Sequence, residues 1–117
     1  PIFQLAALRA SLEIFDEAGM HRLREKSLRL TGYFESLLGE IGGNRITVIT
    51  PSDPGQRGCQ LSIRVANADK ALFDRISQTG IVADWREPDV IRVAPAPLYN
   101  TFGDVREFAS RLRTVLA

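Results

Sequence analysis

The chain has 117 residues, 44% hydrophobic and 25% charged, with 15 Lys and Arg against 14 Asp and Glu. That is one domain's worth of sequence, able to bury a core, too short for a two-domain enzyme, and too balanced in charge and apolar content for a disordered tail. Cys59 is the single cysteine, so a disulfide scaffold is excluded. No apolar run approaches the roughly 18 residues of a membrane span, and the N-terminus lacks the basic stretch and apolar core of a signal peptide. The net charge of +1 gives no global attraction for nucleic acid or anionic lipid. The expectation is a soluble, cytoplasmic unit. A start at Pro1, with no Met and straight into a helical pattern, is what a fragment or processed product would show.

Leu5, Leu8, Leu12 and Phe15 recur at three- and four-residue steps, which predicts a helix burying that stripe. Gly19 breaks or kinks it. A second helix follows, with Leu23, Leu30, Phe34, Leu37 and Ile41 on one side and most of its charges on the other, and Gly42-Gly43 ends it. The period then changes to two. Ile46 to Thr50 is a strand stopped by Pro51, Ser52 to Gly58 is loop chemistry, and Cys59 to Val65 is a half-buried strand. Asn67 is the expected N-cap of a helix carrying Leu72, Phe73 and Ile76 and closed by Gly80. Ile81 to Ala83 and Val90 to Val93 are expected strands, and Pro95 and Pro97 hold the next segment extended. Thr101 and Asp104 form a capping box for a last helix that buries Val105, Phe108, Ala109, Leu112, Val115 and Leu116.

Strands gathered among helices, with a hairpin across Pro51 to Gly58, predict an α+β domain. Its mostly antiparallel sheet is covered by helices on one face.

The chemical inventory is sparse. His21 is the only histidine, so no histidine-based metal cluster exists. Cys59 opens an apolar strand and reads as a small packed side chain. Gly42-Gly43 follows a helix, the wrong polarity for an anion-binding loop. Asp16 and Glu17 sit on a polar helix side. Thirteen of the 15 cations are Arg, and several of these lie outside helices, among them Arg57 in the Pro-Gly loop, Arg86 after Trp85, and Arg92 between Ile91 and Val93. Alternation places Arg92 opposite the face of Ile91 and Val93. From there its planar fork could hold a carboxylate or phosphate bidentately, or make a structural ion pair.

Ile91-Arg92-Val93-Ala94-Pro95-Ala96-Pro97-Leu98-Tyr99-Asn100, followed by Thr101-Phe102-Gly103-Asp104-Val105, closely resembles the C-terminal motif of kynureninases. Arg57-Gly58-Cys59-Gln60-Leu61, Ala10-Ser11-Leu12-Glu13-Ile14-Phe15 and Leu30-Thr31-Gly32-Tyr33 fit the same family, collinearly. The resemblance implies the small C-terminal domain of an enzyme of the aspartate-aminotransferase fold. Such enzymes use pyridoxal 5'-phosphate, act as homodimers, and cleave L-kynurenine, or 3-hydroxykynurenine, to anthranilate (or its hydroxy form) and L-alanine in tryptophan degradation. It makes Arg92 the match for the arginine that holds the substrate α-carboxylate. Arg57 and Tyr99 match family positions in the vicinity of the active site, with no role attached. The cofactor-binding lysine and the other cofactor contacts belong to the large domain of that family, and neither Lys26 nor Lys70 matches them. The expectation is therefore a domain that contributes Arg92 but neither turns over substrate nor holds the cofactor alone. The alternative is a stand-alone α+β ligand- or nucleic-acid-binding module using Arg57, Arg86, Arg92 and Trp85.

Overall fold

The computed structural model describes all residues from Pro1 to Ala117. In chain order it contains α1 (Ile2–Ala18), α2 (Met20–Gly42), β1 (Ile46–Val48), a single 3-10 turn (Pro54–Gln56), β2 (Leu61–Val65), α3 (Lys70–Gln78), β3 (Asp84–Arg86), β4 (Val90–Val93) and α4 (Phe102–Leu116). The four strands form one sheet in the order β1-β2-β4-β3, with every neighbouring pair antiparallel. The expected α+β architecture is present.

The core lies on one face of that sheet. Leu61, Ile63 and Val65 of β2 and Ile91 and Val93 of β4 are buried against Leu30, Phe34 and Leu38 of α2, Leu72, Phe73 and Ile76 of α3, and Val105, Phe108 and Leu112 of α4. Phe34 and Phe108 meet edge to face, with ring centroids 5.1 Å apart, a favoured aromatic geometry. Alternation sends the intervening residues Ser62, Arg64 and Arg92 to the opposite face.

Helix boundaries follow the capping chemistry. Gly19, at φ 83°, separates α1 from α2. Thr101 and Asp104 make the expected capping box: the Asp104 amide donates to Thr101 Oγ1 at 3.1 Å and the Thr101 amide donates to Asp104 Oδ2 at 2.8 Å. The N-cap of α3 is Asp69 in place of the expected Asn67. Asp69 Oδ1 accepts from the Leu72 amide at 2.8 Å, while Asn67 adopts a left-handed turn conformation at φ 59°. Either residue type can cap, and the tight turn out of β2 decides which one reaches the helix.

Two other expectations are corrected. The stripe Leu5, Leu8 and Leu12 of α1 is more than half exposed, and α1 has no buried residue. The periodicity is real, but the rest of this chain does not cover it. The expected strand at Ile81–Ala83 is an extended connection with Val82 fully exposed, and pairing begins at Asp84. The short Glu87–Asp89 turn pairs Arg86 with Val90, so Trp85 meets Ile91 and Asp84 meets Arg92. β4 ends at Val93, opposite Ala83 in this register, which leaves Ile81 and Val82 without a partner strand.

Gly42 shows where backbone packing limits the sequence. A Cβ there would stand 2.5 Å from Cβ of Ile46, whereas a Cβ on Gly39 would meet nothing within 4 Å. Glycine costs a helix interior up to about 1 kcal/mol relative to alanine. Gly39→Ala should therefore stabilise the protein by about 0.5–1 kcal/mol. Gly42→Ala should destabilise it by about 1–2 kcal/mol, because overpacking outweighs the helix-propensity gain. Urea unfolding midpoints of the two variants check the opposite signs.

Candidate functional site

The open face of the sheet carries the charge. Asp84 and Arg86 alternate with Trp85 along β3, Arg92 alternates with Ile91 and Val93 along β4, and Ser62 and Arg64 belong to β2. The register sets Asp84 directly across from Arg92. Arg92 Nε donates to Asp84 Oδ2 at 2.6 Å, and Arg92 Nη2 contacts the same oxygen. Arg86 Nε reaches that oxygen too, at 3.0 Å. Two guanidinium groups thus share one carboxylate, for a local charge of +1. Next to them Arg64 pairs with Asp89 at 3.3 Å.

The hydrogen bond from Arg92 is the main reason the Asp84 carboxyl lies below its ordinary range. The charges of Arg86 and Arg92 add to it, and desolvation opposes it. Asp84 is therefore ionised throughout the neutral range. The Arg92 side chain is 34% exposed. Its side-on edge, Nε and Nη2, is taken by Asp84, and Nη1 has no hydrogen-bond partner within the chain. The end-on edge, Nη1 and Nη2, is the one left to grip a second carboxylate with two parallel hydrogen bonds.

Arg57 has a different environment. Its side chain is 4% exposed, and its Nη1 pairs with Glu35 Oε2 at 2.8 Å and donates to the Pro51 carbonyl at 3.3 Å. Arg24 Nη2 donates in turn to the Arg57 carbonyl at 3.1 Å and also contacts the Pro54 carbonyl. These bonds tie the loop between β1 and β2 to α2. Tyr99 is 74% exposed. It stands in a turn closed by the Asn100 amide on the Ala96 carbonyl at 2.8 Å, and by the Ala96 amide on Asn100 Oδ1 at 2.8 Å. Tyr99 lines a shallow apolar groove of about 320 Å³ with Gly58, Cys59, Pro97, Met20 and Phe15. Arg92 lines neither this groove nor the one of about 500 Å³ beside Val93, Asn100 and Arg111. The structure thus brings Tyr99 to the Arg57-Gly58-Cys59 segment and leaves Arg92 on the open sheet face.

Sequence reasoning singled out Arg92 but missed Asp84 as its partner. The signal was present: Asp84-Trp85-Arg86 has strand alternation, and starting the strand at Asp84 puts both charged residues on one face. Trp85 lies on the covered side instead, its ring 5.7 Å from that of Phe73 and its Nε1 donating to Glu87 Oε1 at 2.9 Å. Trp85 therefore offers no stacking platform beside Arg86 and Arg92, and Arg57 is buried away from both. The four residues of the nucleic-acid alternative do not form one surface.

A pyridoxal phosphate site needs a lysine to hold the aldehyde and a cradle for the phosphate. Lys70 is engaged with Asp74 and lies over the Phe73 ring at 5.1 Å, and Lys26 sits on α2. Neither belongs to the open sheet face, so neither lysine fits that role beside Arg92.

The family model for the kynureninase C-terminal domain matches residues 23–112. The chain is 50% identical over 117 residues to a kynureninase of Xanthomonas campestris pv. campestris, covering 97% of the chain and 28% of that protein. It is 55% identical over 112 residues to a kynureninase of Myxococcus xanthus, covering 96% and 26%. A kynureninase of Koribacter versatilis is 52% identical over 110 residues, covering 94% and 26%. The chain therefore spans little more than a quarter of the length of the curated relatives it matches. A solved structure titled NifS-like protein superposes with a TM-score of 0.70 over 95% of the chain and 31% of its own, at 22% identity, which shows a shared fold.

The burial of Arg57 leads to a stability prediction. Breaking a buried pair costs about 3–5 kcal/mol, and Glu35, 30% exposed, keeps some water contact, so Arg57→Ala should cost about 2–3 kcal/mol. The unfolding midpoint in urea measures it.

Proposed function

Since the chain belongs to the kynureninase C-terminal domain family, we propose that it is the small domain of a longer hydrolase. That hydrolase cleaves L-kynurenine, or its 3-hydroxy form, to the corresponding anthranilate and L-alanine. The observation that supports this most directly is Arg92: about one-third exposed, on a stiff strand, with its end-on edge free. Its task is orientation. Two parallel hydrogen bonds from one guanidinium fix both the position and the plane of the substrate α-carboxylate. They thereby set where the amine and the scissile carbon–carbon bond lie, and such positioning can supply several kcal/mol of a reaction barrier. A lysine there would keep the charge and lose the plane.

In this reading pyridoxal phosphate supplies the electron sink for the bond cleavage and is held by the remainder of the longer protein, which works as a homodimer. Arg57 and Tyr99 have supporting places. Arg57 fixes the loop from Pro51 to Gly58, and Tyr99 borders the groove that this loop helps to form.

Two outcomes are expected. The 117-residue chain, mixed with pyridoxal phosphate and L-kynurenine, should release no anthranilate, while the full-length protein should. Release by the isolated chain would overturn the assignment of the remaining machinery to the rest of the protein. Arg92→Gln in the full-length protein should lower kcat/KM by about 2–4 kcal/mol, the scale for truncating one partner of a hydrogen-bonded charge pair buried in a complex. A change below about threefold would mean that the carboxylate is held elsewhere.

A further inference from the structure

We propose that Asp84 is the positioning residue of the carboxylate site: it occupies the side-on edge of Arg92 and so fixes which edge of the guanidinium is offered to the substrate. This inference rests on the reading of Arg92 as the carboxylate clamp.

A guanidinium has two edges able to grip a carboxylate in parallel, Nε with Nη2 and Nη1 with Nη2. Asp84 is cross-strand to Arg92, and its Oδ2 accepts from both Nε and Nη2, so the first edge is closed. Only the second edge can then take a substrate carboxylate with two parallel hydrogen bonds. Arg86 contributes from the same strand. Its Nε bond to Oδ2 gives that single oxygen contacts from two cations, and the site keeps a net positive charge although a carboxylate stands in it. Asp84 therefore costs the clamp little of its attraction for an anion. What it supplies is direction: the long, rotamer-rich arginine is held before the ligand arrives, so less freedom is lost on binding.

Charge and geometry predict opposite signs when Asp84 is neutralised. By charge alone, Asp84→Asn raises the local charge from +1 to +2 and should tighten carboxylate binding. By positioning, it frees the side-on edge and the arginine rotamers, and should weaken it. The Asp84 side chain is 47% exposed, so its charge is screened by water, whereas its geometric constraint is not. Positioning is expected to win.

The test uses the full-length, cofactor-loaded protein and two probes, L-alanine and L-alaninamide, which differ in the presence of the carboxylate. Dissociation constants are read by titration calorimetry. The protein should prefer L-alanine, and Arg92→Gln should abolish that preference. Asp84→Asn should reduce the preference about tenfold while moving the L-alaninamide constant less than twofold. Asp84→Glu, which restores a carboxylate within reach of the same edge, should recover it to within threefold. The Asp84→Asn, Arg92→Gln double variant should be no worse than Arg92→Gln alone, because Asp84 acts only through Arg92. A residue that merely stabilises the fold would weaken both probes alike. Asp84→Ser takes the place of the asparagine variant if that protein does not fold. An unchanged or increased preference in the Asp84 variant, with Arg92→Gln abolishing it, overturns the positioning role and leaves the clamp standing. A preference that survives Arg92→Gln overturns the clamp, and the role of Asp84 with it.

Discussion

Leu61, Ile63 and Val65 of β2 and Ile91 and Val93 of β4 are drawn to one face of the sheet, and strand alternation leaves Ser62, Arg64 and Arg92 only the other. The energies are unequal. Each buried aliphatic side chain contributes about 1.5–3 kcal/mol, while a part-exposed ion pair contributes about 0–1 kcal/mol. The five apolar residues therefore set the register, and the pairing of Arg92 with Asp84 follows from it. A slip of one residue would bury Arg92 and expose Ile91 and Val93, a change no surface ion pair could offset. The position of the proposed clamp is thus a by-product of core packing, which is why it can be held rigidly at little cost to stability.

The same division explains what was legible in the sequence. Wherever an element is specified by its own residues, it could be read directly: the capping box at Thr101 and Asp104, the break at Gly19, the end of α2 at Gly42-Gly43, and the alternation of β2 and β4. Wherever the outcome depends on a partner, it could not. The segment Ile81–Ala83 is apolar and strand-like, but its strand status depends on whether β4 extends far enough to pair with it. The turn at Glu87–Asp89 and the end of β4 at Val93 leave Ile81 and Val82 with no strand opposite them. The α1 stripe is equally clear in the sequence, yet periodicity names a face without naming its cover. In this chain Leu5, Leu8 and Leu12 contribute apolar surface to solvent rather than to the core.

The site divides along the same line. Arg92 could be placed on a face by counting in twos, and its match to a family motif gave it a role to be tested. Asp84 and Glu35 are partners across 8 and 22 positions of chain; alternation can put Asp84 on the face of Arg92, but the pairings themselves become visible only when the register and the helix packing are known. An ion pair at this spacing has no local signature comparable to an i,i+4 pair on a helix.

Arg57 and Arg92 show how environment, more than residue type, decides what an arginine does. Both are arginines outside helices, both lie in segments that resemble the family, and both pair with a carboxylate. Arg57 is 4% exposed, and its contacts are with Glu35 and the carbonyl of Pro51, both of this chain. An incoming anion would have to displace a buried pair and leave Glu35 uncompensated, at a cost of several kcal/mol. Arg92 is 34% exposed, pairs through one edge with a single oxygen, and shares that oxygen with Arg86. An anion can approach its free edge without breaking any bond already made. Arg57 Nε also lacks a partner, but it is buried; of the two, only Arg92 combines a fixed origin with an unfilled hydrogen-bonding capacity that an incoming anion can reach, and a substrate clamp requires both.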